Sequence, residues 1–506
     1  MQTLLRALFP LLLLPAMLVA SAQQPRHVTL SSLPQNTRDL FRDSMHWDEY
    51  FWDSSASLIR SPYFEAHKPE AFRHMVRESS WYALGLLLRD QPGDRKRAAA
   101  VIDAVLQQQY TDPSARWFGT WKRSPEEPTP GPNAELWKDY DPNWRIFIGT
   151  TFAIMLTEYT DRLPASLRQR MYHAIEIALQ GEMQQQRLVP SYTNIALMYG
   201  FLYDFASMHN GKISWARQAA AWNISVYQLF QQSGTFPEYN SPTYGGVDLY
   251  GLALWRDYGS TAQMRRMGAT MEQSLWREIA SFYQPDLRNL SGPFDRAYGM
   301  DMTEYVSVAG VWMRSVMPAS SAPLPSLSAT TDHLPDIWFA PHIAILGTNI
   351  PPDALTKLQH FPGPHAVRQS ITPQRVATAW VGKDILLGGE STTKTLGAGA
   401  SSQFHPVTIH WRMPSGHIGW VQLIECPPVD AVADEHGISI DTSGTVRLRI
   451  HAPGLSQQQI SATLWKLPGL DVAVTGSQDF HINQGEDFFD LTYASVHHMR
   501  LEVATR

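Results

Sequence analysis

The chain has 506 residues, 41 Lys and Arg against 47 Asp and Glu for a formal charge of −6, and one cysteine, Cys426. Mild acidity without a basic stripe argues against a nucleic-acid partner, a single thiol excludes an intrachain disulfide, and the lack of a CxxC pair leaves no structural zinc signature. The 17 Trp and 19 Tyr, many beside polar residues rather than in apolar runs, tilt the reading toward a carbohydrate cleft, because such rings stack on sugar faces as well as packing in cores.

Residues 1–22 read as a cleavable signal peptide. Arg6 forms the charged start, Ala7 to Ala20 the apolar stretch, and Ala20-Ser21-Ala22 the small-residue cleavage site. The stretch is short for a spanning helix and is interrupted by Pro10 and Pro15. No later stretch is long and apolar enough to span a membrane. A mature chain starting near Gln23 and lacking disulfides is expected in a bacterial periplasm or outside the cell.

From about Leu40 to Met317 the pattern is helix after helix. Helices are expected at Glu70 to Arg89, Arg95 to Tyr110, Trp144 to Tyr159, Leu167 to Arg187, Asn194 to Asn210, Ser214 to Gln232, Thr243 to Tyr258, Gln263 to Tyr283 and Thr303 to Met313. Helical hairpins without a strict sequence repeat are what an (α/α) toroid over residues 23–317 would show, with a helical bundle as the other solution. The Ser- and Pro-rich residues 318–335 read as a linker. Beyond it, over 336–506, the pattern turns to period two. Val407 to Trp411, Ile418 to Ile424, Thr445 to Ile450 and Leu470 to Val474 alternate, with turn residues between them. They predict an antiparallel β domain, a sandwich, so the whole is an α+β multidomain protein. His405 and His410 flank a strand, but residues five apart fall on opposite faces of it, so no metal site is expected. No cofactor is expected either.

Four connections between helices are rich in polar and aromatic residues, and loops are where function concentrates. In Trp137 to Arg145, Asp141 or Asn143 caps the following helix, while Trp137 and Trp144 are either a sugar platform or core. In Ser191 to Ile195, Thr193 or Asn194 caps the following helix, or Asn194 is an amide donor at a cleft mouth. In Gly234 to Tyr250, Ser241 and Pro242 suit the cap and first position of a helix. Tyr244 then lies in the first turn, where the positive helix end would lower its phenol pKa, with Asp248 one turn on along the same face. In Ser291 to Asp301, an extended strand would point Arg296 and Tyr298 the same way. Arg296 suits a carboxylate grip, or it pairs on the surface with Asp295 or Asp301.

The segment Gly234 to Tyr250 resembles the D-G-S/V-F … Y-H-x-Y segment of the heparinase II/III-like and alginate-lyase-like polysaccharide lyases, and the order of elements resembles theirs over essentially the whole mature chain. The resemblance implies an (α/α) toroid with a C-terminal β domain, an acidic polysaccharide as partner, and β-elimination on a uronic acid. It implies that Asn194 neutralises the C6 carboxylate and that Tyr244 is the catalytic tyrosine. Arg296 and Tyr298 add a carboxylate grip and a second phenol by their chemistry. The sequence departs from the family at Ile195 and Gly245, where a His is usual, and at Ser233, where an Asp is usual. The base is therefore open: Tyr244 performs both proton transfers, or a His does, with His405 first and His410 or His46 as others. Trp144, Asn143, Glu238, Tyr239, Asn240, Asp248 and Asp295 are the candidate substrate-binding residues.

Two other functions fit the same residues. A glycoside hydrolase on the toroid would use two carboxylates, Glu238 and Asp295, with Asp141 and Asp301 as further candidates. A non-catalytic glycan-binding protein would use the aromatic loops without turnover.

Overall fold

The computed structural model describes residues 25–63, 72–396 and 403–506. The expected signal peptide lies outside them. No helix among the described residues is long and apolar enough to cross a membrane.

The helices, in chain order, are α1 (Gln35–Tyr50), α2 (Val76–Arg89), α3 (Asp94–Leu106), α4 (Trp144–Glu158), α5 (Ala165–Gln185), α6 (Thr193–Asn210), α7 (Ile213–Gln231), α8 (Tyr244–Tyr258), α9 (Ala262–Phe282), α10 (Val308–Val316), α11 (Ala340–Leu346) and α12 (Pro352–Gln359). Two kinds alternate. α2, α4, α6 and α8 are buried along nearly their whole length, and a helix apolar all round must be enclosed by others. α3, α5, α7 and α9 bury one face only. On α3 that face is Ala98, Val101, Ile102 and Val105.

The pairs α2–α3, α4–α5, α6–α7 and α8–α9 pack as hairpins. The buried members touch one another in turn, α2 on α4, α4 on α6, α6 on α8, α8 on α10, α10 on α1, and α1 on α2. The ring therefore closes, as expected of an (α/α) toroid. α11 packs against α1, α2, α8 and α10 and so sits inside the ring, with His342 fully buried.

Two helix starts differ from expectation. The helix expected from Glu70 begins at Val76, after a short strand. The helix expected from Thr303 begins at Val308, because Ser307 caps it, its Oγ accepting from the Gly310 N–H at 3.2 Å. The Ser- and Pro-rich stretch also leads back into helix rather than into strands. Leu334, Ile337, Trp338 and Phe339 bury in the helical core, α11 and α12 follow, and the large sheet starts only at His365. The expected boundary at 335/336 is thus too early. The apolar run from Leu334 to Leu346 is too short to separate from a strand by periodicity.

Three short strands, β1 (Trp52–Asp53), β2 (Leu58–Arg60) and β3 (His74–Met75), and the pair β4 (Tyr283–Gln284) and β5 (Asn289–Leu290) decorate the helical half. The C-terminal half is an antiparallel sheet of ten strands: β6 (His365–Thr372), β7 (Arg375–Val381), β8 (Ile385–Leu396), β9 (Val407–Arg412), β10 (Ile418–Asp434), β11 (Gly437–His451), β12 (Leu464–Leu467), β13 (Leu470–Thr475), β14 (Phe480–Gln484) and β15 (Phe489–Thr505). The first part of β10 pairs with β9 and its later part with β8, across bulges. Bulges bend long strands, and the sheet encloses its own apolar core of Ile409, Val421, Leu448, Trp465 and Leu491.

Candidate active site

The N-termini of five inner helices converge at one end of the ring, around a cleft of about 510 Å³. The start of α2 contributes Arg77 and Glu78, and α4 contributes Asn143 and Phe147. Asn194 comes from α6, Tyr244 and Val247 from α8, and Val308 from α10. Helix starts carry unpaired N–H groups and the positive end of the dipole, so this end of the ring favours anions.

Tyr244 is set by its own cap. Ser241 Oγ accepts from the Tyr244 N–H at 2.9 Å and in turn donates to the Arg296 carbonyl. That one hydroxyl ties the start of α8 to the loop bearing Arg296. The loop itself runs as an added strand between the two halves. The Phe294 N–H donates to the His405 carbonyl at 3.0 Å and the His405 N–H returns to Phe294 at 2.8 Å, while the Ala297 N–H reaches Gln403 at 2.9 Å. On its other side the Asp295 N–H donates to the Tyr239 carbonyl at 3.1 Å.

Arg296 is the hub. Its Nη1 donates to Glu238 Oε1 at 2.6 Å, its Nη2 to the Tyr244 hydroxyl at 2.7 Å, and its Nε to Gln403 Oε1 at 2.9 Å. Its guanidinium lies 3.7 Å from the centroid of the Tyr244 ring. The Tyr244 and Tyr298 hydroxyls are 2.6 Å apart. Asn194 Nδ2 donates to the second Glu238 oxygen at 2.5 Å. A carboxylate thus sits between an amide and a guanidinium, with a pair of phenols beside it.

Burial pushes the Glu238 carboxyl up, against the pull of Arg296. Burial, with Tyr298 beside it, also pushes the Tyr244 phenol well above its ordinary value. The lowered phenol expected from the helix end is therefore not found: desolvation of a mostly enclosed ring outweighs the dipole and Arg296 together.

Of the expected site residues, Tyr244, Asn194, Arg296, Tyr298, Asn143, Trp137 and Asp141 line the cleft, and Glu238 binds Asn194 and Arg296 from behind. The others do not reach it. His405 is buried, its imidazole pushed down to about 4 by desolvation, and it is held at the Phe294–Ala297 strand outside the cleft lining. It is not placed to act as a base. Trp144 is core, 5.1 Å beneath the Arg77 guanidinium. Tyr239 packs edge-on against Phe282. Asn240, in a left-handed turn, donates to the carbonyls of Ser291 and Pro293 at 2.8 Å each. Asp248 is buried behind Glu238, and desolvation followed by the Glu238 charge raises it well above its ordinary value. Asp295 is tied to Arg375 of β7 and to the Tyr239 N–H. Of the carboxylates a hydrolase would use, Glu238 and Asp295 are thus spent on internal partners, while Asp141 lines the cleft. Arg296 pairs with neither Asp295 nor Asp301.

Arg77 and His333 are among the lining residues that escaped the sequence reading. Arg77 lies on a floor of Trp81, Trp144 and Phe147 rings and donates to Glu78 at 2.9 Å. Its signal was a polar first turn, Arg77 to Ser80, opening an otherwise apolar helix. His333 stacks on Tyr298 at 4.3 Å, beside Asp336. It stood in the stretch read as linker.

No curated protein matches the sequence. Among solved structures the chain is similar to a chondroitin AC lyase of Streptomyces coelicolor A3, in complex with chondroitin sulphate, at 10% identity and TM-score 0.44, covering 93% of this chain and 80% of that one. It is similar to a heparinase III at 8% identity and TM-score 0.40, covering 96% and 87%. It is also similar to the endoglucanase CelQ of Clostridium thermocellum, complexed with cellobiose and cellotriose, at 8% identity and TM-score 0.28, covering 93% and 92%. The model of a second domain of unknown function, DUF8770, matches residues 363–493, within the large sheet. The helical half, residues 38–348, matches the domain of unknown function DUF8769, and since that match takes in more than half of the chain, the protein belongs to this family.

Proposed function

We propose that the protein is an exported polysaccharide lyase that cleaves a uronic-acid polysaccharide, alginate- or glucuronan-like, by β-elimination. The observation that carries the reading is the hydrogen-bonded chain from Arg296 through the Tyr244 hydroxyl to the Tyr298 hydroxyl, at 2.7 and 2.6 Å. A phenol that keeps its proton at neutral pH and touches a guanidinium is suited to protonating a leaving glycosidic oxygen, while the cation steadies the phenolate left behind.

The C5 hydrogen of a uronic acid is a very weak acid until the adjoining carboxylate is neutralised. Asn194 and Arg296 grip a carboxylate here, that of Glu238, and the same donor types suit the C6 carboxylate of a sugar. The five helix N-termini and Arg77 favour the polymer's charge. The hydrolase reading has less support, since Glu238 and Asp295 are both bound by arginines.

The test is a panel of alginate, glucuronan, heparinoids and ulvan, read by the absorbance of the conjugated double bond that elimination creates. Turnover with that absorbance, lost in Tyr244→Phe, supports the reading. Cleavage of a neutral glucan without it overturns the reading.

A further inference from the structure

Tyr244 is protonated and enclosed, so it is equipped to give a proton rather than to take one. A second group must take the proton from C5. The cleft contains one imidazole among the described lining residues, His333. We propose that His333 is the base of the elimination, oriented by Asp336 and by the ring of Tyr298; this rests on the lyase reading above.

Four observations converge on it. The His333 ring lies 4.3 Å from that of Tyr298 with 17° between their planes, and the Tyr298 hydroxyl is 2.6 Å from that of Tyr244. One tyrosine thus separates the proposed base from the proposed acid, and both open into the same cleft. His333 Nδ1 is 3.8 Å from Asp336 Oδ2, within ion-pair reach. A carboxylate on that side favours the proton at Nδ1 and leaves the Nε2 lone pair for substrate, and no described residue bonds Nε2. The His333 backbone is left-handed, φ 55°, in a residue other than glycine. Such backbone persists where the surroundings over-determine it, and it clusters at functional sites. Lastly, Asp336 is half-buried, and its Oδ2, the buried oxygen, accepts no hydrogen bond. An unpartnered buried carboxylate is costly, and an imidazolium formed beside it during turnover would supply the missing partner.

The atoms balance. His333 Nε2 takes the C5 proton. The C5–H electron pair becomes the C4–C5 double bond. The C4–O pair leaves on the glycosidic oxygen, which takes the Tyr244 proton. The imidazolium and the phenolate are reset by passing one proton through solvent. Charged groups facing His333 are Asp336 and, around Asp336, Arg77, Glu78 and Asp332.

The experiment uses the full chain and whichever polymer of the panel the wild type cleaves. His333→Ala is expected to lose about 10²–10⁴ of turnover while binding the polymer as the wild type does, and added imidazole is expected to restore part of it. Asp336→Asn is expected to lower kcat with KM within a few fold of the wild type, because the ring that Asp336 holds in place is no longer fixed. His333→Ala within threefold of wild type overturns the assignment, as does an inactive His333→Ala that binds polymer and gains nothing from imidazole. Should His333→Ala not fold, the Asp336→Asn kinetics decide, an unchanged kcat overturning it. A wild type that forms no unsaturated product from any polymer overturns the lyase reading itself, whereas an active wild type with an active His333→Ala overturns this assignment alone.

Discussion

Arg375, on β7 of the large sheet, and Asp295, in the loop beside Arg296, form an ion pair between the two halves of the molecule. Arg375 also donates to Glu390 Oε1 at 2.8 Å and to the Pro237 carbonyl at 2.9 Å. Both carboxylates are nearly fully buried. Removing the shared cation leaves two buried charges unpaired, which costs about 3–5 kcal/mol. Arg375→Ala is expected to lower stability by that order in urea unfolding and to abolish activity. Adding Asp295→Asn should recover part of the stability, as coupled neighbours do.

Tyr244→Phe removes one hydroxyl and nothing of the ring that Arg296 covers. Turnover is expected to fall by about 10²–10⁴, with polymer binding within a few fold of the wild type. Steady-state rates from product absorbance and a binding titration separate the two quantities.

Arg296→Lys keeps the charge but cannot serve Glu238, Tyr244 and Gln403 at once, nor lie flat on the Tyr244 ring. A loss of about 10²–10³ in kcat is expected, of the size seen when one preorganised donor is removed. A variant with wild-type kcat would show that the planar contact is irrelevant to the reaction.

Glu278 is half-buried, accepts from the Thr235 hydroxyl, and desolvation raises its carboxyl from 4.5 to about 7. Its sign follows from linkage. Between these values the unfolded chain binds fewer protons at this site than the folded one, so its contribution to stability falls as pH rises through the window. Glu278→Gln keeps the acceptor for Thr235 and removes the titration. Its stability relative to the wild type is expected to grow from pH 4.5 to 7, by up to about 3 kcal/mol. Thermal melts of both proteins across that range check it. Buried His342 and His410, each pushed down to about 3, act in the opposite sense in both proteins and cancel in the difference.

Gly388 on β8 lies against the Gly292–Pro293 segment so closely that an added Cβ would be 2.2 Å from the Gly292 carbonyl carbon. Gly388→Ala must push backbone from backbone, at about 1–3 kcal/mol. A lower melting temperature and a reduced kcat are expected together, because the displaced segment leads into Arg296.

Much of this was legible in the sequence, and the rest was hidden for physical reasons. The inner helices announced themselves by continuous apolar runs such as Ile146 to Leu156, and the outer ones by stripes. Arg296 and Tyr298 were readable because alternation in an extended loop sends both to one side. Burial was not readable. Nothing in the sequence separates Asn143, which lines the cleft, from Asn240, which holds two loop carbonyls. Nor does it show that a mostly enclosed phenol outweighs a helix dipole. His333 was missed because a stretch of Ser and Pro resembles a tether even where it packs, and its left-handed turn brings the imidazole back over the ring.

The strand that carries Arg296 belongs to neither half. It hydrogen-bonds to residues 403 and 405 on one edge and to Tyr239 on the other. The sheet is therefore part of the mould in which the arginine is cast, rather than an appendage that carries substrate to it. A toroid cut free at residue 359 would keep Tyr244 and Asn194 yet lose the template that sets the height of the guanidinium. Transplanting the sheet from a relative would succeed only where the donor supplies the complementary edge. For this chain the two halves are heritable as one unit.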